Sequence, residues 1–195
     1  MSDQFDYVMA PVSIVVGLAI GHILAALGVA VNRLRGHGRP IHLEIVFLSW
    51  VGFLLVWIVS FWWWEFKFQQ VITTWTFGLY LFVLSYAMLL FFLAVLLVPR
   101  GMKDLDDSYA WFMADRRWFF AIFLLGNAMD VIDSFNKSTE WALRPTFMVW
   151  EAAILVGSIV GIRSENRRVQ QVVAVGLFAY QLIYAWASLM VLGHW

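Results

Sequence analysis

The residues of this chain best suited to chemistry are carboxylates set inside apolar runs. The run LLGNAMDVIDSF (124–135) holds Asn127, Asp130 and Asp133, and a later run holds Glu151. At about 100° per residue, Gly126, Asn127, Asp130, Asp133 and Ser134 fall within about 60° of Asp130 on a helical wheel. Ala128, Met129, Val131 and Ile132 point the other way. Phe119 and Phe123 continue the polar face as aromatic residues, so the polarity belongs to one half of the helix. That pattern is the wall of a cavity or groove open at one end, not of a pore through the whole thickness.

Arg144, Glu151 and Ser158 recur at heptad spacing and share one face of the next helix. Helix rise puts Glu151 roughly 12 Å below the end of its span, at about the depth of Asn127. An ionised carboxylate at such depth costs at least ~2.5 kcal/mol without partners or water. It must be protonated, paired, or face a wet cavity, and the outer two states suit proton exchange or transient cation binding. For Asp130 and Asp133 a second reading stands beside this one. Either could pair with Arg144 or Lys137 across the short hairpin and serve folding alone. Arg144 is thus expected as gate, counter-ion or clip.

Two further candidates lie elsewhere. His22 sits in the first apolar run, and a rough inverted alignment of Gly21-His22 with Gly126-Asn127 offers it a proton-relay role beside the plainer one of a hydrogen-bonded structural histidine. Gln181 shares a face with Tyr184 and Ser188, and such groups commonly form interhelical hydrogen bonds. Gly17, Gly21 and Gly28 make a small-residue stripe containing GLAIG, expected to let helices approach closely.

The elements that must position these residues are membrane spans. Of 195 residues, 63% are apolar and only 13% charged, against about a quarter charged in soluble domains. Six runs are long enough to cross roughly 30 Å of hydrocarbon: 7–31, 41–64, 71–98, 117–135, 142–162 and 169–192. The expected fold is an all-α integral membrane protein, one compact bundle of six transmembrane helices (residues 1–195). Pro11 and Pro145 are read as first-turn prolines, and Pro40 and Pro99 as boundaries. The stretch 104–118 is either a short helix in the interface or an extension of the fourth span.

Of the 13 lysines and arginines, all but Lys67, Lys137 and Arg144 fall in the loops after the first, third and fifth spans. The positive-inside rule makes those loops cytoplasmic and leaves both termini outside, in a cell inner membrane. The aromatic run FWWWEF (61–66), Trp75, Trp141 and Trp195 would then mark the outer interface. The chain starts with acidic residues, so its first run is read as a retained helix and not a cleaved signal. Residues 78–87 resemble 176–185, and 47–56 resemble 147–156 at nearly the same offset. These matches raise two inverted three-helix repeats, 7–98 and 105–192, an arrangement that recurs in transporters.

Several classes are excluded. There is no cysteine, hence no disulfide or thiolate chemistry, and no basic stripe for nucleic acid. No H-E-x-x-H or histidine cluster offers a metal centre, and bis-histidine haem ligation is disfavoured by the spread of the four histidines. No cofactor is expected. NAMDVID (127–133) resembles the Asp-rich diphosphate motifs of membrane prenyltransferases in its spacing, but the chain is shorter and lacks their second acidic motif. No catalytic motif remains. The expected function is a small transporter or channel-like protein for protons, cations or a small polar solute, using an outward-facing acidic site. The alternative is a structural, assembly or sensor subunit of a membrane complex. The partners expected are the lipid bilayer and either copies of itself or other subunits.

Overall fold

The computed structural model describes residues 2–99, 102 and 105–190. Within them lie eight helices: α1 (Ser2–Leu34), α2 (Ile45–Glu65), α3 (Lys67–Val71), α4 (Phe77–Leu97), α5 (Ser108–Lys137), α6 (Thr139–Ala142), α7 (Pro145–Arg163) and α8 (Arg167–Ser188). Six of these, with α3 continuing α2, are long and apolar enough to span a membrane. The protein is an all-helical, multi-pass membrane bundle. Arg100, Lys103, Asp104, His194, Trp195 and the end expected for the sixth span lie outside the described residues.

Local chemistry sets the ends of the helices. Asp107 caps α5 by accepting from the backbone N–H groups of Tyr109 and Ala110 at 2.8 and 3.1 Å. Thr76, Ser138 and Asn166 cap α4, α6 and α8 in the same way. Pro145 occupies the first turn of α7, where a missing N–H costs little. Pro11 differs from expectation: α1 starts at Ser2, so Pro11 lies inside the helix. The second span also starts later than expected, at Ile45. Residues 41–44 are extended, because the His42 N–H donates to the Asp106 carbonyl and its own carbonyl accepts from Ser108 N–H. The stretch 108–118 is the start of α5 itself and no separate interfacial helix, which makes α5 about 45 Å long by helix rise.

The helices α1, α4, α5, α7, α8 and α2 follow one another round the bundle, and α2 also touches α4 and α5. This placement explains why α2 is apolar on every side. Aromatic rings fill its middle. Trp50 is fully buried, with the rings of Phe53, Phe112, Phe119, Phe120 and Phe123 at 5.2–6.3 Å between centroids. Close approach of α7 depends on Gly161, where a Cβ would lie 2.2 Å from the Phe120 ring.

The glycine stripe of α1 behaves differently from expectation. Gly17, Gly21 and Gly28 are exposed, and a Cβ added to any of them would meet nothing within 4 Å. The inward face of α1 is instead Val12, Val16, Ala19, Ile23, Ala26 and Ala30. Apolar small and β-branched residues at heptad spacing drive this contact, and glycine offers no apolar surface for it. The two sequence halves also choose different neighbours, α1 packing chiefly on α4 and α5 chiefly on α7. The helix neighbours therefore lend the expected repeat no support.

At the arginine-rich end, Arg33 is buried and uses all five of its N–H donors. Nε donates to the Arg39 carbonyl at 2.8 Å, Nη1 to the Met102 and Leu105 carbonyls, and Nη2 to the Pro40 carbonyl and Asp106 at 2.8 Å each. One side chain thus ties α1 to the two segments leading into α2 and α5. Glu44 caps α2, and it accepts from Gln171 at 2.8 Å and from Arg167 at 3.3 Å. The opposite, tryptophan-rich end is where the polar face of α5 opens.

Candidate functional site

The wheel of α5 places its polar residues inward. Gly126, Asn127, Asp133 and Ser134 are buried and Asp130 is half-buried, whereas Ala128 and Ile132 are exposed. Gly126 admits the indole of Trp57, which a Cβ would meet at 2.8 Å. Two polar groups form along this face, one above the other.

The upper group is an ion triplet. Lys137, at the last position of α5, bonds Asp133 one turn back in its own helix and Glu65 at the end of α2 at 2.8 Å. The three side chains are 0–1% exposed. The ammonium also stands over the rings of Phe68 and Trp64, 4.5 and 5.5 Å from their centroids. Asp133 thus has a cation at bonding distance and is consumed in joining α5 to α2.

The lower group holds the remaining carboxylates. Asn127 donates to Glu151 of α7. The Tyr86 hydroxyl of α4 donates to Asp130 at 2.8 Å and accepts from the Trp57 indole N–H at 3.1 Å. The carboxyl groups of Asp130 and Glu151 are within hydrogen-bonding reach of each other. Among the described residues neither forms an ion pair. Two facing carboxyl groups can share one proton, or both ionise and hold a cation between them.

Asp130 opens onto a cavity of about 50 Å³, room for a few water molecules. Ser60, Ser134 and Gln181 supply its other polar walls. Rings of Trp57, Trp64, Trp141, Trp150 and Tyr184 supply most of the rest. Gln181 is 3% exposed and its Oε1 has no hydrogen-bond partner, an acceptor aligned with nothing in the protein itself. Beneath the cavity the Trp50 cluster closes the bundle.

The structure therefore brings Asn127, Asp130 and Glu151 together, sets Gln181 on the same cavity, and holds Asp133 just above in the triplet. Arg144 is not among them. It is exposed, its guanidinium lies 4.8 Å from the Trp141 ring, and its nearest carboxylate is Glu140 at 3.8 Å. As the N-cap position of α7 it precedes Glu151 by nearly two turns, and its side chain lies over Trp141. His22 is also elsewhere: its Nε2–H donates to the Val98 carbonyl at 2.8 Å, closing the C-terminal end of α4. Thr74, expected on the third span, precedes α4 in an exposed turn.

Three participants, Glu65, Tyr86 and Trp57, were not singled out from sequence, whereas Lys137 was named there as a possible partner of Asp133. Glu65 looked like part of an interfacial aromatic run, although it is the one acid in FWWWEF and so needed a buried partner. Lys137 had the i,i+4 spacing to Asp133 as its signal. Tyr86 and Trp57 had none, because their polar tips are indistinguishable in sequence from any interfacial aromatic. Among the described residues no three carboxylates or histidines converge in a way that could hold a metal ion. No protein-family model, curated protein or solved structure matches this chain, so the reading of the site rests on its own geometry.

Proposed function

We propose that this chain is a small transport protein that binds a cation or small polar solute at Asp130, entering from the tryptophan-rich side. The observation that carries the reading is the unequal treatment of three inward-facing carboxylates. Asp133 is matched by Lys137, while Asp130 and Glu151 face one another beside a cavity with no cation of the protein between them. Keeping such groups within a membrane span costs about 2.5–3.5 kcal/mol each on insertion scales. A group retained at that cost without an internal counter-ion has a proton or a bound cation as its partner. Asn127 and Tyr86 orient the two carboxyl groups by donating to them.

The aromatic cluster around Trp50 supports a carrier over an open channel, because no polar path continues through it. Passage would require those rings to move. The arginine bias supports a tryptophan-rich end facing outward from an inner membrane, with the N-terminus on that side. Three helices per half also leave a narrow interior, which supports assembly of several copies.

Proteoliposome flux assays test the proposal. Wild-type vesicles should show cation or proton flux that falls at least about tenfold in both Asp130→Asn and Glu151→Gln, in keeping with loss of an essential charge. Equal flux in wild type and both variants, for every cation tried, would sink it. A stationary structural role is the second reading, favoured by the Lys137 triplet, whose geometry joins helices and does nothing else. Under that reading both substitutions lower thermal stability and leave binding and flux at background.

A further inference from the structure

The cavity beside Asp130 does not end at its rings. Between α2 and α8 an apolar groove of about 550 Å³ runs along the outer surface of the bundle, lined by Leu55, Val56, Val59, Trp63, Leu182 and Trp186. Ser60 and Leu189 line both the groove and the cavity. The two spaces therefore adjoin, one charged and aromatic inside the bundle, the other apolar and facing the hydrocarbon of the bilayer.

The chemistry of each space selects its occupant. The inner cavity is lined by one carboxylate, one buried glutamine side chain and three hydroxyl-bearing residues, Ser60, Ser134 and Tyr184, and is otherwise walled mostly by rings. A hard metal ion sheds its water reluctantly, and walls made mostly of aromatic rings would not replace that hydration shell. A large, weakly hydrated organic cation is satisfied by a single anion and aromatic walls. The same rim already attracts cations: Lys137 lies over Trp64 and Arg144 over Trp141, and both rings line the cavity. The outer groove suits an alkyl chain. A phosphate beside the head is disfavoured, because Asp130 would repel it and Lys137 is already engaged by Asp133 and Glu65.

We infer that the substrate is an amphiphilic organic ammonium ion, its cationic head in the ring-lined cavity against Asp130 and its alkyl chain in the groove between α2 and α8. The inference rests on the cation-binding reading of the site and names the class of cation. Entry is lateral, from the outer leaflet, through the gap bounded by Ser60 and Leu189. Asp130, the one carboxylate in the lining, favours a cation over a neutral amphiphile.

The test is tryptophan fluorescence titration of the full chain in a maltoside detergent, with decyltrimethylammonium, tetramethylammonium, decanol and decylphosphocholine as probes. Decyltrimethylammonium should bind at least about tenfold more tightly than tetramethylammonium, the gain coming from chain burial. Asp130→Asn should weaken both cations by about tenfold or more. Val59→Trp fills the groove at an exposed position that folding tolerates. It should abolish the chain's advantage and leave tetramethylammonium binding as in wild type. Decanol and decylphosphocholine should fail to compete. If tetramethylammonium binds through Asp130 but the chain adds nothing, the amphiphile is overturned and the cation site stands. Should decanol or decylphosphocholine compete as well as the cation, or should neither cation bind wild-type protein, the inference fails, and in the last case the cation site fails with it.

Discussion

Lys137 Nζ, at the end of α5, lies 2.8 Å from Glu65 Oε1, at the end of α2, and both side chains are fully buried. With Asp133 on the other side of the ammonium, the pair joins two helices at the mouth of the cavity. Burying charges is costly, and one partner left alone is costlier than the pair. Lys137→Met should therefore destabilise by about 3–5 kcal/mol, with two carboxylates left unmatched. The triple change Lys137→Met, Glu65→Gln, Asp133→Asn should recover much of that loss. Thermal unfolding in detergent reads both, and equal melting temperatures for single and triple variants would refute the clip.

Arg33 makes a comparable junction at the opposite end. Its five donors each reach an oxygen, four of them backbone carbonyls of two separate segments. Lysine has the charge but not the planar fork. Arg33→Lys should lower stability on the order of 3 kcal/mol, with buried carbonyls left unpaired. Limited proteolysis should then cut first between residues 35 and 42.

The hydroxyl of Tyr86 stands between the Trp57 indole and Asp130. Tyr86→Phe removes a donor to the carboxylate and an acceptor for the indole, at a cost of about 1–3 kcal/mol. Cation binding should weaken with it, because Asp130 loses the group that orients it. A variant with wild-type affinity would show that the Asp130 orientation is set elsewhere.

Glycine positions separate packed from open helix faces. Gly161→Ala drives a methyl into the Phe120 ring and should cost about 1–3 kcal/mol by overpacking. Gly21→Ala, on the exposed stripe of α1, should leave the melting temperature unchanged or raise it slightly through helix propensity. The contrast between the two is the measurement.

Arg144→Ala should leave both melting temperature and cation binding as in wild type. Its side chain is exposed, stacks on Trp141 and forms its ion pair with Glu140, not with the carboxylates it was expected to serve. Loss of binding in this variant would return it to the site.

Hydrocarbon chemistry made much of this legible in sequence. A span must be apolar and about twenty residues long, so six spans could be counted directly from composition and run length. Helical periodicity then set Asn127, Asp130, Asp133 and Ser134 on one inward face of α5, since angular position around a helix depends on local spacing alone. Depth along a helix follows the same rule, which is why Asn127 and Glu151 meet.

What local spacing does not encode is which helix stands beside which, and how far a long side chain reaches. The choice between Lys137 and Arg144 as partner of Asp133 was settled by the position of α2, which brings Glu65 to Lys137. Likewise, Tyr86 reaches the site because α4 packs against α2 and α5, and Gln181 because α8 packs against α2 and α7. The glycine stripe of α1 shows the limit most clearly. Small residues permit close approach, but apolar area on another face decides which side turns inward, and that area exists only once α4 is in place.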